Sequence, residues 1–221
     1  MKKENPILKI SNVSYRYSDA KKDEYVLKNI NYDFYKGKVY AIKGKSGSGK
    51  TTLLSLISGL EKKYEGDIFY KDKKLKNIDL DTYRNSNVGI IFQSYNLLPQ
   101  LTAIENIILS MDISKIKLKD KKEKALSLMK SVGLDESLKN RRVLKLSGGE
   151  QQRIAIARSL AYNPEIILAD EPTGNLDRET ENEILDIFKN LAKRQGKCVI
   201  IVTHSLNVCE SVDEVYELKN K

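Results

Sequence analysis

Four short apolar runs in this 221-residue chain each end on polar residues suited to phosphate, metal or proton chemistry. "VYAIK" (39–43) is followed by "GKSGSGKT" (44–51), "VGIIF" (88–92) by Gln93, "EIILA" (165–169) by Asp170 and Glu171, and "CVIIV" (198–202) by Thr203 and His204. His204 is the single histidine of the chain. The first set matches G-x-x-x-x-G-K-[ST], a loop whose glycines let backbone N–H groups turn around phosphate oxygens while the next helix adds its positive end. Lys50 is then expected on the β and γ phosphates, and the Thr51 hydroxyl on Mg²⁺. Asp170 supplies the second oxygen ligand of such a metal site, and Glu171 suits a general base taking a proton from an attacking water. A lone histidine at a strand end is by itself an ordinary polar residue. Its arrival beside three other such sets marks it as functional, because ligands of open α/β sheets bind at the carboxyl ends of the strands.

These positions demand a particular scaffold. The four runs have the length and β-branched content of buried parallel strands. Helical patterns separate them: "KTTLLSLISGL" leads to Gly59, and "RETENEILDIFKNLAKRQG" puts Ile184, Leu185, Phe188, Leu191 and Ala192 on one face before Gly196. Ahead of them, "ILKISNVSYRYS" and "YVLKNINYDFYKG" alternate in the manner of antiparallel strands. From about 94 to 160 the pattern is helical and lysine-rich. The expectation is one α/β domain over 1–221: a P-loop NTPase core with a mostly parallel sheet, an N-terminal antiparallel β subdomain, and a helical subdomain inserted at about 94–160.

Composition narrows the function classes. No run approaches the roughly 20 apolar residues of a membrane span. The opening "MKKENPILKI" lacks the apolar region of a secretory signal, so a cytosolic protein is expected. Cys198 and Cys209 lack CxxC spacing and read as reduced, structural residues. The net charge is +9, from 39 basic and 30 acidic residues. Its lysine clusters, "KDKKLK" (71–76) and "KIKLKDKKEK" (115–124), lack the aromatic and arginine interleaving of nucleic-acid binders and read as solvated faces. The second would lie near a membrane if the protein docks on one. No nucleic-acid partner is expected.

One further segment separates this chain from other P-loop proteins. In "LSGGEQQR" (146–153), Ser147 and Glu150 have capping-box spacing. Two glycines in the first turn cost about 1 kcal/mol each relative to alanine, which the close approach of an anion would justify. With that segment the chain resembles the ATP-binding subunits of ABC transporters, from about Ile7 to Leu218.

The resemblance implies a role for each matching position. Tyr17 corresponds to the aromatic residue that stacks on adenine, with Tyr15 as the inward alternative. Gly44, Ser46, Gly47, Ser48, Gly49, Lys50 and Thr51 form the Walker A loop, with Thr52 also near phosphate. Gln93 is the Q-loop glutamine, touching Mg²⁺ and the attacking water beside the membrane partner. Ser147, Gly148, Gly149 and Gln151 belong to the signature sequence, "EIILADE" to Walker B, and Asp177 ends the D-loop. His204 is the switch histidine, expected at the γ-phosphate and beside Glu171. The family further implies ATP and Mg²⁺ as cofactors and a head-to-tail dimer in which Ser147 and Gly149 act on the partner's nucleotide. It also implies a separately encoded permease that holds the protein at the inner face of the membrane.

"FQSYNLLPQLTAIENI" and "LADEPTGNLD" resemble the group serving lipoprotein release, macrolide export, antimicrobial-peptide resistance and cell division. The cell-division branch, a regulatory ATPase that gates a partner without transport, is the alternative. DNA-repair members carry long coiled coils between Q-loop and signature, and translation factors carry two cassettes; neither feature is present. Lys38, Lys45 and Val143 depart from the usual pattern without removing a catalytic group.

Overall fold

The computed structural model describes residues 5–19, 21 and 24–218; the first residues of "MKKENPILKI" lie outside it. The chain opens with β1 (Leu8–Tyr15), β2 (Leu27–Phe34) and β3 (Val39–Lys43), then α1 (Lys50–Ile57), β4 (Glu65–Tyr70) and β5 (Lys73–Lys74). Next come α2 (Leu80–Ser86), β6 (Val88–Ile91), α3 (Ala103–Ile113), α4 (Lys121–Ser131) and α5 (Gly148–Ser159). It closes with β7 (Ile166–Asp170), α6 (Arg178–Gln195), β8 (Cys198–Thr203), α7 (Leu206–Ser211) and β9 (Glu214–Glu217).

Two sheets share the work. β2-β1-β4-β5 is antiparallel, and β6-β7-β8-β3-β9 is parallel throughout. β3, β7 and β8 are apolar along almost their whole length because helices cover the parallel sheet, so both faces of each strand are buried. Register brings the strand ends together: Lys43 pairs with Thr203, Asp170 with Val202 and Ile91 with Ala169. The residues after β3, β6, β7 and β8 therefore emerge along one edge.

The two cores lie on opposite faces of this sheet. One gathers Val39, Ile167, Val199 and Ile201 with α6 and α3 to α5; the other joins Tyr40, Ile42 and Ile200 to α1 and the antiparallel strands. α6 buries Ile184, Leu185, Phe188, Leu191 and Ala192, the expected face, together with Ile187. It ends at Gly196 in the left-handed conformation (φ 64°), where a β-carbon is disfavoured.

Between β6 and β7, helices α3, α4 and α5 pack on one another and α5 rests on β6. Pairing among the described residues there is limited to an isolated bridge between Thr102 and Arg142. Thr102 and Ser147 each close a capping box with the glutamate three residues on, Glu105 and Glu150. Cys198 is buried, its thiol pKa pushed up by desolvation, and both cysteines are free.

The lysine cluster at 71–76 is tied down locally. Lys71 pairs with Glu165, Lys74 pairs with Asp67 at 2.9 Å, and Lys76 donates to the Gly66 carbonyl at 2.8 Å. Burial pushes the Glu165 carboxyl up, but hydrogen bonds from Lys36, Lys71 and Tyr70 outweigh it and bring its pKa down to about 2.

Candidate active site

The strand-edge residues surround a cavity of 380 Å³ lined by Tyr17, Val26, Ser46, Gly47, Gly49, Lys50, Thr51, Thr52, Gln93, Asp170 and Glu171. Its floor is the loop from β3 to α1. Gly49 caps α1 at φ 88°, and a β-carbon there would lie 2.8 Å from Val26 Cγ1, so both conformation and space demand glycine. Gly44 and Ser48 sit beneath the loop rather than on the cavity: a β-carbon on Gly44 would meet Ser48 Oγ at 2.3 Å, and that hydroxyl is buried without a partner. Lys50 donates to the carbonyl oxygens of Gly44 (2.8 Å) and Lys45 (3.2 Å), which holds its ammonium against the loop, and the residue lines the cavity.

Two tyrosines divide between core and cavity. Tyr15 is 6% exposed and packs inward, whereas Tyr17 is 51% exposed, with its hydroxyl 3.3 Å from Thr52 Oγ1. The rings meet edge to face at 5.3 Å, so the buried tyrosine props the exposed one against the cavity rim. Val26 also reaches this rim; inside an alternating strand-like run it carried no signal of chemistry.

Opposite the loop stand the acids. Burial raises the pKa of Asp170; the Thr51 hydroxyl and Lys50 pull it down, while the neighbouring Glu171 charge adds to the rise. Thr51, Asp170 and Gln93 bring hard oxygen donors to the same cavity, and they fit a magnesium ion that takes its remaining ligands from phosphate and water.

Glu171 adopts φ 45°, a conformation that costs a non-glycine residue about 1–3 kcal/mol. It is held there from both sides. Its N–H donates to the Val202 carbonyl at 2.9 Å, and its carboxylate meets His204 Nδ1 at 2.8 Å and the His204 N–H at 3.3 Å. The Glu171 side chain is 12% exposed and that of His204 69%, so the imidazole leans on the acid from outside and does not line the cavity.

The signature residues stand elsewhere. Ser147 Oγ accepts from the Glu150 N–H at 3.2 Å, Glu150 Oε2 accepts from the Ser147 N–H at 2.7 Å, and Gln151 Nε2 donates to the Leu146 carbonyl at 2.9 Å. Asp177 caps α6 through Thr180, accepting from its N–H at 3.0 Å and its hydroxyl at 2.7 Å. None of Ser147, Gly148, Gly149, Gln151 and Asp177 lines the cavity. Gly149 has a packing reason that spacing did not reveal: a β-carbon there would lie 2.8 Å from Thr180 Cγ2, so glycine lets α5 approach α6.

A second cleft, of 390 Å³, opens between the helical insertion and the sheet, lined in part by Phe92, Asn96, Leu98, Leu109, Ile113 and Arg158. Its wall is the segment after Gln93, where Tyr95 and Asn96 both take positive φ (59° and 49°). Arg158 on α5 secures that turn, donating to the Tyr95 and Asn96 carbonyls at 2.8 and 2.5 Å.

A phosphate-binding loop on a parallel sheet, with an acid pair and a histidine at the neighbouring strand ends, defines a P-loop ATPase. The family model for ABC transporters matches residues 27–174, and the chain belongs to that family. It is 44% identical to an uncharacterized ABC transporter ATP-binding protein, YclH, of Bacillus subtilis (strain 168), covering 94% of this chain and 91% of that one. It is 40% identical to the lipoprotein-releasing system ATP-binding protein LolD of Idiomarina loihiensis, covering 97% and 95%. Among solved structures, the dimeric post-hydrolysis state of the ATP-binding cassette MJ0796 of Methanocaldococcus jannaschii, bound to ADP and Pi, superposes with a TM-score of 0.87 at 38% identity, covering 96% of this chain and 94% of that one. The fold is that of an ABC ATPase, and the protein is the ATP-hydrolysing subunit of an ABC transporter.

Proposed function

We propose that residues 1–221 form one ATP-binding domain, with its helical subdomain at about 94–160, and that two copies close head to tail on two ATP to drive a permease encoded as another chain. The observation that carries this reading is the separation of the two halves of the chemistry. The phosphate loop, Asp170 and Glu171 line one cavity, while Ser147 and Gly149 at the start of α5 do not line it. A second copy supplies the missing wall, and the dimeric MJ0796 structure supports that arrangement.

Within each site, Tyr17 receives adenine, the loop from Ser46 to Thr52 receives the phosphates, and Thr51, Asp170 and Gln93 hold Mg²⁺. That ion shields phosphate charge when bound. Glu171 takes the proton of the attacking water, and His204 fixes the carboxylate in line.

No helix among the described residues is long and apolar enough to cross a membrane. The permease therefore contributes the spanning part, and the ATPase sits at its cytoplasmic face. The cleft beside the Gln93–Gln100 segment, with exposed Leu98 on its wall, fits an apolar helix from that partner. The work proposed is export or release of an amphipathic substrate such as a lipoprotein, macrolide or antimicrobial peptide; of these, the likeness to the lipoprotein-releasing system protein LolD supports the first.

Recovery of tagged Glu171→Gln protein from native membranes with Mg-ATP, followed by mass spectrometry, tests this. A co-purifying permease with a large extracytoplasmic domain is the expected result. Division or cell-wall proteins without a permease would shift the reading to a regulatory ATPase that gates its partner.

A further inference from the structure

Glu181, in the first turn of α6, accepts three side-chain hydrogen bonds. Thr173 Oγ1 and Ser205 Oγ each donate to its Oε1 at 3.0 Å, and Asn207 Nδ2 donates to its Oε2 at 2.9 Å. An acid in the first turn of a helix needs no such partners to be favourable, since the helix end attracts it in any case. The donors are informative because of their places in the chain. Thr173 follows Glu171 by two residues, and Ser205 directly follows His204. One carboxylate thus ties down the segment leaving the acid and the segment leaving the histidine.

The tie reaches further. The Glu181 N–H donates to the Asp177 carbonyl at 2.8 Å, so the clamp is anchored in the capped start of α6. The imidazole of His204 is well exposed, and its contact with Glu171 is the side-chain hydrogen bond that orients it. Its direction therefore depends on where the backbone between Thr203 and Ser205 is held.

We propose that Glu181 is a positioning residue for hydrolysis, a clamp that sets the Glu171–His204 pair and links it to the turn ending at Asp177. The proposal rests on the reading of Glu171 as the base. Asn207 also donates to Asn182 Oδ1 at 3.0 Å, which braces the α7 side of the clamp.

Steady-state ATP hydrolysis by the full chain tests it. Misplacement of a reacting group by a fraction of an ångström to 1 Å costs up to about 100-fold, so Glu181→Ala is expected to lower kcat roughly 10-fold or more with KM for ATP little changed. Glu181→Gln keeps an acceptor and the reach and is expected to stay within about 3-fold of wild type. A wild-type kcat in Glu181→Ala overturns the clamp. So does a Glu181→Gln loss equal to that of Glu181→Ala, which would mean that charge and not hydrogen bonding matters. Should Glu181→Ala not fold, the Thr173→Val/Asn207→Ala protein removes two of the three donors and is expected to lose about 5-fold in kcat; no loss there overturns the proposal equally. Glu171→Gln measured alongside separates the two claims: if it hydrolyses normally the base reading falls, and if it is inactive while Glu181→Ala is normal only the clamp falls.

Discussion

The strand-edge cavity and the start of α5 both offer backbone N–H groups at a helix N-terminus, yet they are built in opposite ways. At α1 the cap is Gly49, which has no side chain to close the end, and Lys50, Thr51 and Thr52 line the open cavity beyond it. At α5 the cap is Ser147, and a complete capping box with Glu150 satisfies the chain locally. The first helix end is left open for a phosphate that its own chain surrounds on several sides. The second is finished as a piece of structure, close to Tyr95 and Thr180 of its own chain, and lies outside the cavity. One half of the site is preorganised within the chain, and in the proposed dimer the other would become a site when a second copy faces it.

The largest effect belongs to the half that is complete. Glu171→Gln removes the proton acceptor and leaves the phosphate loop intact, so kcat is expected to fall at least about 100-fold while nucleotide still binds and holds the dimer closed. Hydrolysis rates with nucleotide-binding titrations and light scattering check this, and a wild-type rate would remove Glu171 from the base role. The division between halves is tested by mixing two inactive proteins, Lys50→Ala and Ser147→Arg. If Ser147 serves the facing copy, the mixed dimer holds one site with both an intact loop and an intact signature, and activity returns on mixing. If Ser147 serves its own chain, both copies in the mixture remain defective and no activity returns.

A smaller effect is expected at the histidine. His204→Ala leaves the cavity lining whole and removes the 2.8 Å contact on Glu171, so kcat is expected to fall about 10- to 100-fold with modest change in nucleotide affinity. An unchanged kcat would make His204 an ordinary strand-end residue.

What the sequence disclosed and what it hid follow the same division. Buried parallel strands write continuous β-branched runs, so β3, β6, β7 and β8, and with them the positions of Lys50, Gln93, Asp170 and His204, could be read from local pattern alone. β9 could not, because as the edge of the sheet it alternates half-buried and exposed residues and looks like charged chain. α2, a short helix started by Asp79, and the β4–β5 hairpin were hidden by charged residues in the same way. Contacts between distant segments left no trace at all. The strained backbone of Glu171, the grip of Arg158 on the turn at Tyr95, and the packing of Gly149 on Thr180 each join residues that no single window of sequence contains. In "LSGGEQQR" a capping-box spacing and a glycine pair open to an anion share one helix start. Ser147 makes the cap, and the nucleotide contact belongs to the proposed dimer.

The finest test of an open, preorganised half concerns its cost. Asp170 has its pKa raised, first by burial, against the pull of the Thr51 hydroxyl and Lys50 and with the Glu171 charge adding to the rise. An acid whose folded pKa lies above its unfolded value binds more protons in the native state, so unfolding free energy falls as pH rises from the ordinary carboxylate range through the raised value. The charged form of Asp170 in the nucleotide-free protein therefore opposes folding. Asp170→Asn is expected to raise the melting temperature of the nucleotide-free protein by roughly 2 °C at neutral pH. The gain should vanish under acid conditions where Asp170 is protonated in both states. With Mg-ATP the order reverses, because the wild type gains stability from a ligand bound by its folded state and the variant, without the carboxylate charge proposed to face Mg²⁺, gains less. Calorimetry at two pH values, with and without Mg-ATP, reads both signs. A variant melting below the wild type without nucleotide would mean that Asp170 supports the fold and is not held in tension for its ligand.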